Sequence, residues 1–299
     1  TQTKTDFVED NCNVFFLYSR TNGTPGLTKS MFVLDKYLST NLNPCALTTQ
    51  GTRMEKVALI TGASGGLGQA LAARLDAAGW KLVLAGRDGE RLGAAYDSRH
   101  LQIVGDCSTA AGARNILDAA RAQHMLPVAL AHCVGNIRLG ALHRMSETDF
   151  MDCLSANLIS AFHTLAAFVG ALREARSPGA AVLVSSAAAR IGTPNHEAVA
   201  AAKAGLEGLV RGTAASYAGN GIRVNAVAPG IMDTPAAAGI IGSATAREAA
   251  AKQYPLPGIG VPDELAELMA WLLSGQAARV TGQTWSMDAG FSTIRPLVR

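Results

Sequence analysis

The feature that most constrains this chain is a glycine-rich segment, TGASGGLG, at residues 61–68. The apolar run 57–60 just before it predicts a buried strand over 56–61, and the helical spacing of apolar residues after it predicts a helix over 66–78. In this context such a turn is typical of a site for the pyrophosphate of a dinucleotide, and a flexible loop without a ligand is the weaker alternative. No Gly-Lys-Ser/Thr follows the segment, which disfavours the phosphate loop of kinases and ATPases.

Each glycine of the turn has a distinct expected role. Gly62 permits the tight turn, Gly66 lets backbone N–H groups approach the pyrophosphate, and Gly68 permits close packing of the helix on the strand. Ser64 and Leu67 lie within the same turn and are assigned to the cofactor with the glycines. The N-terminus of the helix adds a partial positive charge that favours an anion.

Strands and helices alternate along residues 54–299. The patterns predict strands over 56–61, 81–86, 101–105, 127–132, 180–185, 222–228 and 283–287, and helices over 66–78, 88–96, 109–124, 146–175, 195–218 and 262–274. Such alternation predicts an α/β fold: a doubly wound parallel sheet (Rossmann fold) in a single domain. The segment after Gly230, up to about Pro257, is predicted to be a loop.

The composition of the chain changes sharply near residue 53. Ala46 is the one alanine before that point, and alanine is abundant from Met54 onwards. Residues 1–53 are therefore expected to form a short N-terminal extension that is loosely ordered, added to or translated upstream of a natural start at Met54. The alternative is a true appendage that packs on the domain 54–299.

The composition also argues against several classes of function. Hydrophobic residues make up 48% of the chain, which is typical of a folded domain, and the formal net charge of +3 is spread evenly, which indicates no nucleic acid as partner. No apolar run is long enough for a membrane span, and residues 14–18 are too short for the core of a signal peptide. Five cysteines without a Cys-x-x-Cys pair, and six histidines without His-x-x-x-His spacing, favour a reducing, cytoplasmic location and indicate no metal site.

The end of the second strand indicates which dinucleotide is bound. A site that prefers NAD(H) places a carboxylate there to bind the ribose 2′-hydroxyl, but the sequence has Gly86 followed by Arg87. A guanidinium can hold a 2′-phosphate, so NADP(H) is favoured over NAD(H), although Arg87 could be a plain surface residue. Asp88 is expected to cap the next helix. Asp106 could bind the adenine amino group or serve as a turn aspartate.

Further motifs are spread over the domain. They comprise Gly135 of His132-Cys-Val-Gly135, Asn157 of Ser155-Ala-Asn-Leu-Ile159, Ser186, Lys203, Asn225-Ala-Val-Ala-Pro-Gly230, Thr234, Thr281-Gly-Gln-Thr284 and Asp288-Ala-Gly290. Together with the glycine-rich turn, these motifs resemble the short-chain dehydrogenase/reductase family, classical type. The resemblance covers essentially all of residues 54–299 and implies an oxidoreductase.

The resemblance implies a role for each matching residue. Lys203 is expected to hold the nicotinamide ribose, Ser186 to bind the substrate oxygen, and Asn157 to hold a water in a proton relay. The implied reaction is hydride transfer to or from a small carbonyl, alcohol or enone, with NADP(H) as cofactor. The remaining cofactor contacts that the resemblance implies are Gly135, Pro229, Gly230 and Thr234.

The catalytic tyrosine of the family does not match. Val199 stands four residues before Lys203, where the Tyr-x-x-x-Lys motif has its tyrosine, and a valine cannot move a proton. His196 would lie one helical turn upstream on the same face, where its imidazole could supply the proton. The alternatives are a water as proton donor, with His196 only capping the helix, or a protein that binds NADP(H) as a sensor or structural subunit without turnover.

Two other expectations follow at the substrate side and at the surface. His132 and Cys133 end the fourth strand beside the cofactor, where they either act in the reaction or, as is favoured, brace the strand end. The predicted loop after Gly230 is small and apolar and is expected to be a mobile lid over a neutral substrate. By resemblance, the long helices 146–175 and 195–218 pair between subunits, which implies a homotetramer or a dimer.

Overall fold

The structure is a computed structural model that describes residues 55–295, together with the backbone of two short strands near the N-terminus. The chain divides into two compact units, Thr1–Pro44 and Cys45–Arg299. In the first unit, β1 (Phe7–Glu9) pairs antiparallel with β2 (Phe15–Leu17). The other residues of the predicted extension 1–53 lie outside the described part, so its boundary and its loose order stay predictions.

A seven-stranded sheet forms the centre of the second unit. Its strands are β3 (Val57–Thr61), β4 (Lys81–Gly86), β5 (Leu101–Val104), β6 (Ala129–His132), β7 (Gly179–Val184), β8 (Ile222–Pro229) and β9 (Thr284–Met287). They lie in the order β5-β4-β3-β6-β7-β8-β9, and every neighbouring pair is parallel. The order reverses its direction between β3 and β6. Ligands bind at such a switch point, beyond the carboxyl ends of the strands.

Helices cover both faces of the sheet. They are α1 (Gly66–Ala77), α2 (Gly89–Ala95), α3 (Ala110–Ala122), α4 (Glu147–Leu154), α5 (Ser160–Glu174), α6 (Glu197–Tyr217), α7 (Ala238–Ile241), α8 (Ala244–Ala251) and α9 (Pro262–Leu273). Helices α3, α5 and α6 pack on one face, and α1 and α9 pack on the other. The predicted doubly wound α/β fold is therefore confirmed, and each predicted strand and long helix is present.

The core explains why the strands read as unbroken apolar runs. All five residues of β3 are buried, because helices cover the sheet on both sides. Phe168 of α5 is fully buried on one face, and Leu71 of α1 and Met269 of α9 are fully buried on the other. The two apolar layers fix the sheet, and with it the strand ends at which the chemistry is placed.

The helix predicted over 146–175 contains a turn of π geometry. Residues Ser155–Ile159 form this wide turn between α4 and α5, and the Ser160 amide bonds to the carbonyl of Ser155, five residues back. The apolar pattern of the sequence does not show this wider turn, because the helices before and after it bury the same face. The whole segment Glu147–Glu174 is the one described helix with the length and composition to cross a membrane, a test that core helices of soluble proteins also pass.

The segment predicted to be a loop after β8 instead contains α7 and α8. Ser243 caps α8 by accepting a hydrogen bond from the Ala246 amide at 3.1 Å, and Lys252 pairs with Glu248 one turn earlier. Alanine, the strongest helix former, makes up most of α8. The prediction of a loop was wrong because it gave weight to the small size of these residues and overlooked their helix propensity.

Candidate active site

A cleft of about 570 Å³ opens at the carboxyl ends of β3, β4, β6, β7 and β8. Most of the predicted site residues line it: Gly62, Ser64, Gly66, Leu67, Gly68, Arg87, Gly135, Asn157, Ser186, Lys203, Pro229, Gly230 and Thr234. Asp106 and His196 are not among the lining residues. The strand ends thus bring together nearly all of the residues that the sequence marks for cofactor and substrate.

The glycine-rich turn has the close packing that its sequence predicts. Gly62 has a φ of +69°, and a methyl group there would lie 2.9 Å from the backbone of Cys133. A methyl group on Gly68 would lie 2.5 Å from the Gly62 carbonyl oxygen. Helix α1 follows without a side-chain cap at Gly65, so its first N–H groups face the cleft without a side-chain acceptor. Only glycine fits these positions, and the resulting cradle suits a pyrophosphate.

Two arginines line the outer end of the cleft beside Gly86. Arg87 follows β4, and Arg91 lies in the first turn of α2. Asp88 caps α2 by accepting from the Arg91 amide at 3.0 Å, which confirms its predicted capping role. Asp106 accepts from the Ser108 amide at 2.9 Å, as a turn aspartate does, and its contact with adenine stays a prediction. Burial opposes ionisation of Asp106, but these hydrogen bonds and the nearby Arg87 keep its pKa below the usual range.

The inner end of the cleft holds the lysine and the serine. Lys203 of α6 is 6% exposed, and its Nζ donates to the Val184 carbonyl oxygen at 2.7 Å. Burial lowers the pKa of Lys203 to about 8, and the thiols of Cys153 and Cys133 offset part of this effect. Ser186 starts a short turn after β7, where its Oγ accepts from the Ala188 amide at 3.2 Å. The hydroxyl hydrogen of Ser186 remains available to a substrate oxygen.

Asn157 projects from the wide π turn, and its amide nitrogen and amide oxygen differ in their hydrogen bonding. Its Nδ2 donates to the Cys153 carbonyl at 2.9 Å and to Asn136 Oδ1 at 2.9 Å. Its Oδ1 is buried and has no partner among the described residues. A methyl group on Gly135 would lie 2.6 Å from this oxygen and 3.4 Å from Lys203 Nζ. A side chain at position 135 would therefore collide with the Asn157 amide, which glycine avoids.

His132 braces the strand end rather than lining the cleft. Thr61 Oγ1 lies 2.8 Å from Nδ1, Ser160 Oγ lies 3.1 Å from Nε2, and Ser160 Oγ itself donates to the Ala156 carbonyl at 2.7 Å. Because the Ser160 hydrogen is used there, Nε2–H donates to Ser160 and Nδ1 accepts from Thr61. Burial, and to a smaller degree Lys203, lowers the pKa of His132 to about 3. This imidazole is neutral, as the favoured bracing role requires.

Cys133 is half-buried at the floor of the cleft, just after β6. Burial raises the pKa of its thiol to about 12, although the nearby Lys203 acts in the opposite direction. A thiol with such a pKa is protonated at neutral pH and is a poor nucleophile. The geometry gives Cys133 a packing role against the glycine-rich turn.

A charge cluster made by the buried Glu207 and the exposed Arg190 lies behind the serine turn. Ser185 donates to Glu207 Oε1 at 2.8 Å, and Arg190 Nε donates to the same oxygen at 3.3 Å. Arg190 also reaches the Thr284 carbonyl of β9 at 3.3 Å. The cluster connects α6, the turn that carries Ser186 and the last strand.

Comparison with known proteins identifies the family. The sequence profile described as enoyl-(acyl carrier protein) reductase matches residues 62–292. The chain is 31% identical over 253 residues to the A-factor type gamma-butyrolactone 1'-reductase (1S-forming) of Streptomyces virginiae, covering 82% of this chain and 98% of that protein. It is 32% identical over 244 residues to the 3-oxoacyl-[acyl-carrier-protein] reductase FabG of Escherichia coli, covering 80% and 98%. The chain belongs to the short-chain dehydrogenase/reductase family.

A solved structure agrees with this assignment. The crystal structure of levodione reductase superimposes with a TM-score of 0.76 at 30% identity, covering 81% of this chain and all of that one. Like its relatives in the family, the protein is an oxidoreductase that uses a nicotinamide dinucleotide. The residues fit such a cofactor: the glycine cradle leaves room for a pyrophosphate, and the cleft runs from Arg87 to Lys203.

An aliphatic residue lines the cleft one helical turn before Lys203. Val199 of α6 lines the cleft and is 5% exposed, so an aliphatic side chain stands four residues before Lys203. His196 is the N-cap of α6, so helical spacing alone does not place it on the face of Val199. Its Nδ1 donates to the Pro194 carbonyl at 2.8 Å. A catalytic role for His196 stays a prediction.

The segment after β8 is fixed to the body of the enzyme at its beginning. The hydroxyl oxygen of Tyr254 accepts from the Ile231 amide at 2.7 Å, and its ring covers Gly230. Arg247 of α8 forms two hydrogen bonds with Asp233, at 2.7 and 2.8 Å. A second cavity of about 410 Å³ lies between these helices and Thr234. An exposed ion pair thus joins α8 to the residues that follow β8, and the expected lid function of this segment stays a prediction.

Sequence reasoning missed two residues that contribute to the site. Arg91 lines the cleft with Arg87, and the signal for it was its place in the first turn of the helix that follows the second strand. Asn136 also lines the cleft and holds the amide of Asn157, and it stands directly after the marked Gly135. Both residues could have been predicted, because each is a polar residue shortly after a predicted strand end.

Proposed function

We propose that this chain is an NADP(H)-dependent oxidoreductase that transfers hydride to or from a small carbonyl, alcohol or enone, with an atypical proton donor. The observation that carries the proposal is the meeting of Lys203, Asn157 and Ser186 in one cleft, each from a different element. The bound nicotinamide would supply or accept the hydride. The chain's own residues bind the dinucleotide, orient the substrate oxygen and manage one proton.

The preference for the 2′-phosphate rests on the outer end of the cleft. Gly86 offers no carboxylate to a ribose 2′-hydroxyl, and Arg87 and Arg91 place two guanidinium groups beside it. A phosphate there would form charge-assisted hydrogen bonds, whereas a plain hydroxyl would leave the two positive charges without a partner. NADP(H) is therefore the proposed cofactor, and NAD(H) is expected to bind more weakly.

Each residue at the inner end has a proposed task. Ser186 donates a hydrogen bond to the substrate oxygen, Lys203 holds the ribose, and Asn157 holds a water of the proton relay. The glycine turn, with Ser64 and Leu67, seats the pyrophosphate. The other proposed cofactor contacts are Asp106 at the adenine and Gly135, Pro229, Gly230 and Thr234 at the nicotinamide side.

Val199 raises the question of where the proton comes from. Valine has no exchangeable proton, and losing a general acid reduces rates by about 10² to 10⁴-fold. Either His196 or a water is the proposed replacement. The same valine favours a second candidate function, a catalytically impaired NADP(H)-binding sensor or structural subunit.

Assembly and location complete the proposal. The relatives named above are reductases, which supports a small-molecule substrate for this chain. Helices α4 and α5 leave Met151 and Phe162 about half exposed, at 53% and 48%, and such apolar surface supports a homotetramer or a dimer. We propose a cytoplasmic protein with no nucleic-acid or membrane partner.

Steady-state turnover separates the enzyme from the sensor. NADPH oxidation is followed across a panel of small ketones, lactones and enones, and the reverse reaction across alcohols with NADP⁺. Turnover of any substrate supports the enzyme, and tight NADPH binding without turnover across the panel supports the sensor. Val199→Tyr is expected to raise turnover, since it restores a phenol beside Lys203.

The cofactor preference has its own test. Arg87→Gln and Arg91→Gln are each expected to weaken NADPH binding by about tenfold, the loss of roughly one charge-assisted hydrogen bond, and to leave NADH binding unchanged. The exposed Arg121→Gln, which touches only Glu174 among the described residues, is the matched control. Equal affinities for NADH and NADPH in the unaltered protein would contradict the preference.

A further inference from the structure

The glycine-rich turn is held from outside the cleft by a tyrosine. The Tyr96 hydroxyl donates a hydrogen bond to the Ala63 carbonyl oxygen at 2.7 Å. Ala63 is fully buried, and neither it nor Tyr96 is among the described residues that line the cleft, whereas Ser64 lines it. Tyr96 therefore contacts the backbone of the turn without lining the space in which a cofactor would lie.

The direction of the Ala63 carbonyl also sets the direction of the next amide. The C=O and N–H groups of a trans peptide lie in one plane and point in opposite directions. Because the Ala63 carbonyl points at the Tyr96 hydroxyl, the N–H of Ser64 points away from Tyr96. A side chain that does not line the cleft can therefore control a backbone donor of a residue that does.

The Ser64 amide differs from the amides before and after it. The N–H of Ala63 donates to the Ala85 carbonyl at 3.1 Å, and the N–H of Gly65 donates to the Gly62 carbonyl at 3.0 Å. The N–H of Ser64 has no acceptor among the residues that the structure describes. A free backbone N–H in a glycine-rich turn at the start of a helix suits a phosphate oxygen.

The surroundings of Tyr96 keep its hydroxyl in place and protonated. The residue follows α2 directly, and its ring lies edge-on to that of His100, with the ring centroids 6.5 Å apart. Its backbone carbonyl accepts from Gln102 Nε2 at 3.4 Å. Burial, and to a smaller degree Cys133, raises the pKa of Tyr96 above its usual value. The phenol is therefore a hydrogen-bond donor throughout the neutral range of pH.

We propose that Tyr96 is a positioning residue of cofactor binding: its hydroxyl holds the Ala63 carbonyl and thereby directs the Ser64 N–H at a phosphate of the dinucleotide. This inference rests on the proposed function, in which the turn seats the cofactor. Two phosphates are within the chemistry of this donor. One is the pyrophosphate, and the other is the 2′-phosphate, because a methyl group on Gly86 at the outer end of the cleft would lie 3.8 Å from Ser64 Oγ.

The expected effect is on affinity, because Tyr96 would act before the cofactor arrives. Without the hydroxyl, the peptide between Ala63 and Ser64 can turn, and only part of the molecules hold the N–H in the binding direction. The apparent dissociation constant rises by the inverse of that fraction. Loss of one hydrogen bond between neutral groups changes an equilibrium constant by about three- to tenfold.

Tyr96→Phe tests the inference, because it removes the hydroxyl and keeps the ring. We expect the dissociation constant of NADPH, measured by fluorescence titration, to rise by about three- to tenfold. Tyr217→Phe is the matched control and should leave the affinity unchanged. Tyr217 is half-buried, its ring contacts Arg173, and its hydroxyl has no hydrogen-bond partner among the described residues.

Two fragments of the cofactor distinguish the two phosphates. ADP carries adenosine with a 5′-diphosphate, and 2′-AMP carries adenosine with the 2′-phosphate. Tyr96→Phe should weaken the binding of one fragment by the same factor as NADPH and leave the other unchanged, and the weakened fragment identifies the phosphate.

The inference is overturned if neither fragment is affected, or if both are weakened alike, because a general loosening of the site would act on both. It is also overturned if Tyr217→Phe weakens NADPH binding as much as Tyr96→Phe does. Failure of the unaltered protein to bind either NADPH or NADH would instead defeat the proposed function, and this inference with it.

Discussion

The buried imidazole of His132 should make the stability of the protein strongly dependent on pH. Its Nε2–H and Nδ1 are committed to Ser160 and Thr61, and its pKa of about 3 lies far below the value of about 6.5 for a histidine in the unfolded chain. A depressed pKa means that the unfolded state binds the proton first. The stabilising contribution is therefore present above pH 6.5 and is lost as pH falls towards the folded value.

The size of the effect follows from the two pKa values. At pH 6 the unfolded state gains about 1 kcal/mol by protonating this one histidine, and at pH 5 it gains about 2 kcal/mol. The folded pKa of about 3 lies well below pH 5, so these figures depend mainly on the unfolded value. Between pH 7 and pH 5 the free energy of unfolding should thus fall by about 2 kcal/mol on account of His132 alone.

Urea unfolding, followed by circular dichroism at pH 7, 6 and 5, measures this quantity. The comparison is with His132→Gln, in which an uncharged amide side chain replaces the titrating imidazole. Carboxylates titrate in both proteins, so their effect cancels in the difference. His143→Gln, at an exposed histidine, is the control and should retain the full pH dependence of the unaltered protein. If the unaltered protein and His132→Gln lose equal stability between pH 7 and pH 5, the reasoning is refuted.

Three further predictions concern side-chain packing and one surface ion pair. Gly68→Ala would place a methyl 2.5 Å from the Gly62 carbonyl oxygen and should lower stability by about 1–3 kcal/mol and weaken NADPH binding, as measured by urea unfolding and fluorescence titration. Gly170→Ala is its control: the added methyl would meet nothing within 4 Å, and helix propensity should raise stability by about 0.5–1 kcal/mol. Phe168→Ala, at a fully buried side chain, should cost about 3–5 kcal/mol in the same unfolding experiment, and a smaller loss would show that the core collapses around the gap. Arg247→Gln should change Tm very little, because its ion pair with Asp233 is exposed and screened by solvent; a large shift would show that α8 supports the fold.

The fold could be predicted because its elements have clear periodicities. The five buried residues of β3 and the apolar stripes of α3 and α5 are visible without any structure, and the parallel order follows from their alternation with helices. The wide turn at Ser155–Ile159 and the two helices after β8 were not predicted. The wide turn leaves the buried face of the helix continuous, so the apolar pattern does not show it. The helices after β8 depend on helix propensity, because their apolar face is too short to show a period.

The site could be predicted as a set of positions but not as a set of contacts. Gly62 and Gly68 were marked by their places in the turn after the first strand, and Lys203 was marked by the resemblance to the family. The orientation of His196 could not be read in the same way, because the residue lies before the first helical turn, where helical spacing does not apply. The pairing of Asn136 with Asn157 joins two segments that are distant in sequence, and no periodicity reports such a contact.

The wide turn between α4 and α5 has a consequence for the evolution of this chain. A π turn accommodates one residue more than an α-helix of the same span, and side chains close its loosened carbonyls: Asn157 at Cys153 and Ser160 at Ala156. Deleting Asn157 should therefore let the segment tighten into ordinary helix, with both flanking helices still packed on the sheet. The deletion would remove the amide from the cleft and leave the architecture intact. This single deletion would abolish the proposed role of Asn157 in the reaction, while the protein still folds.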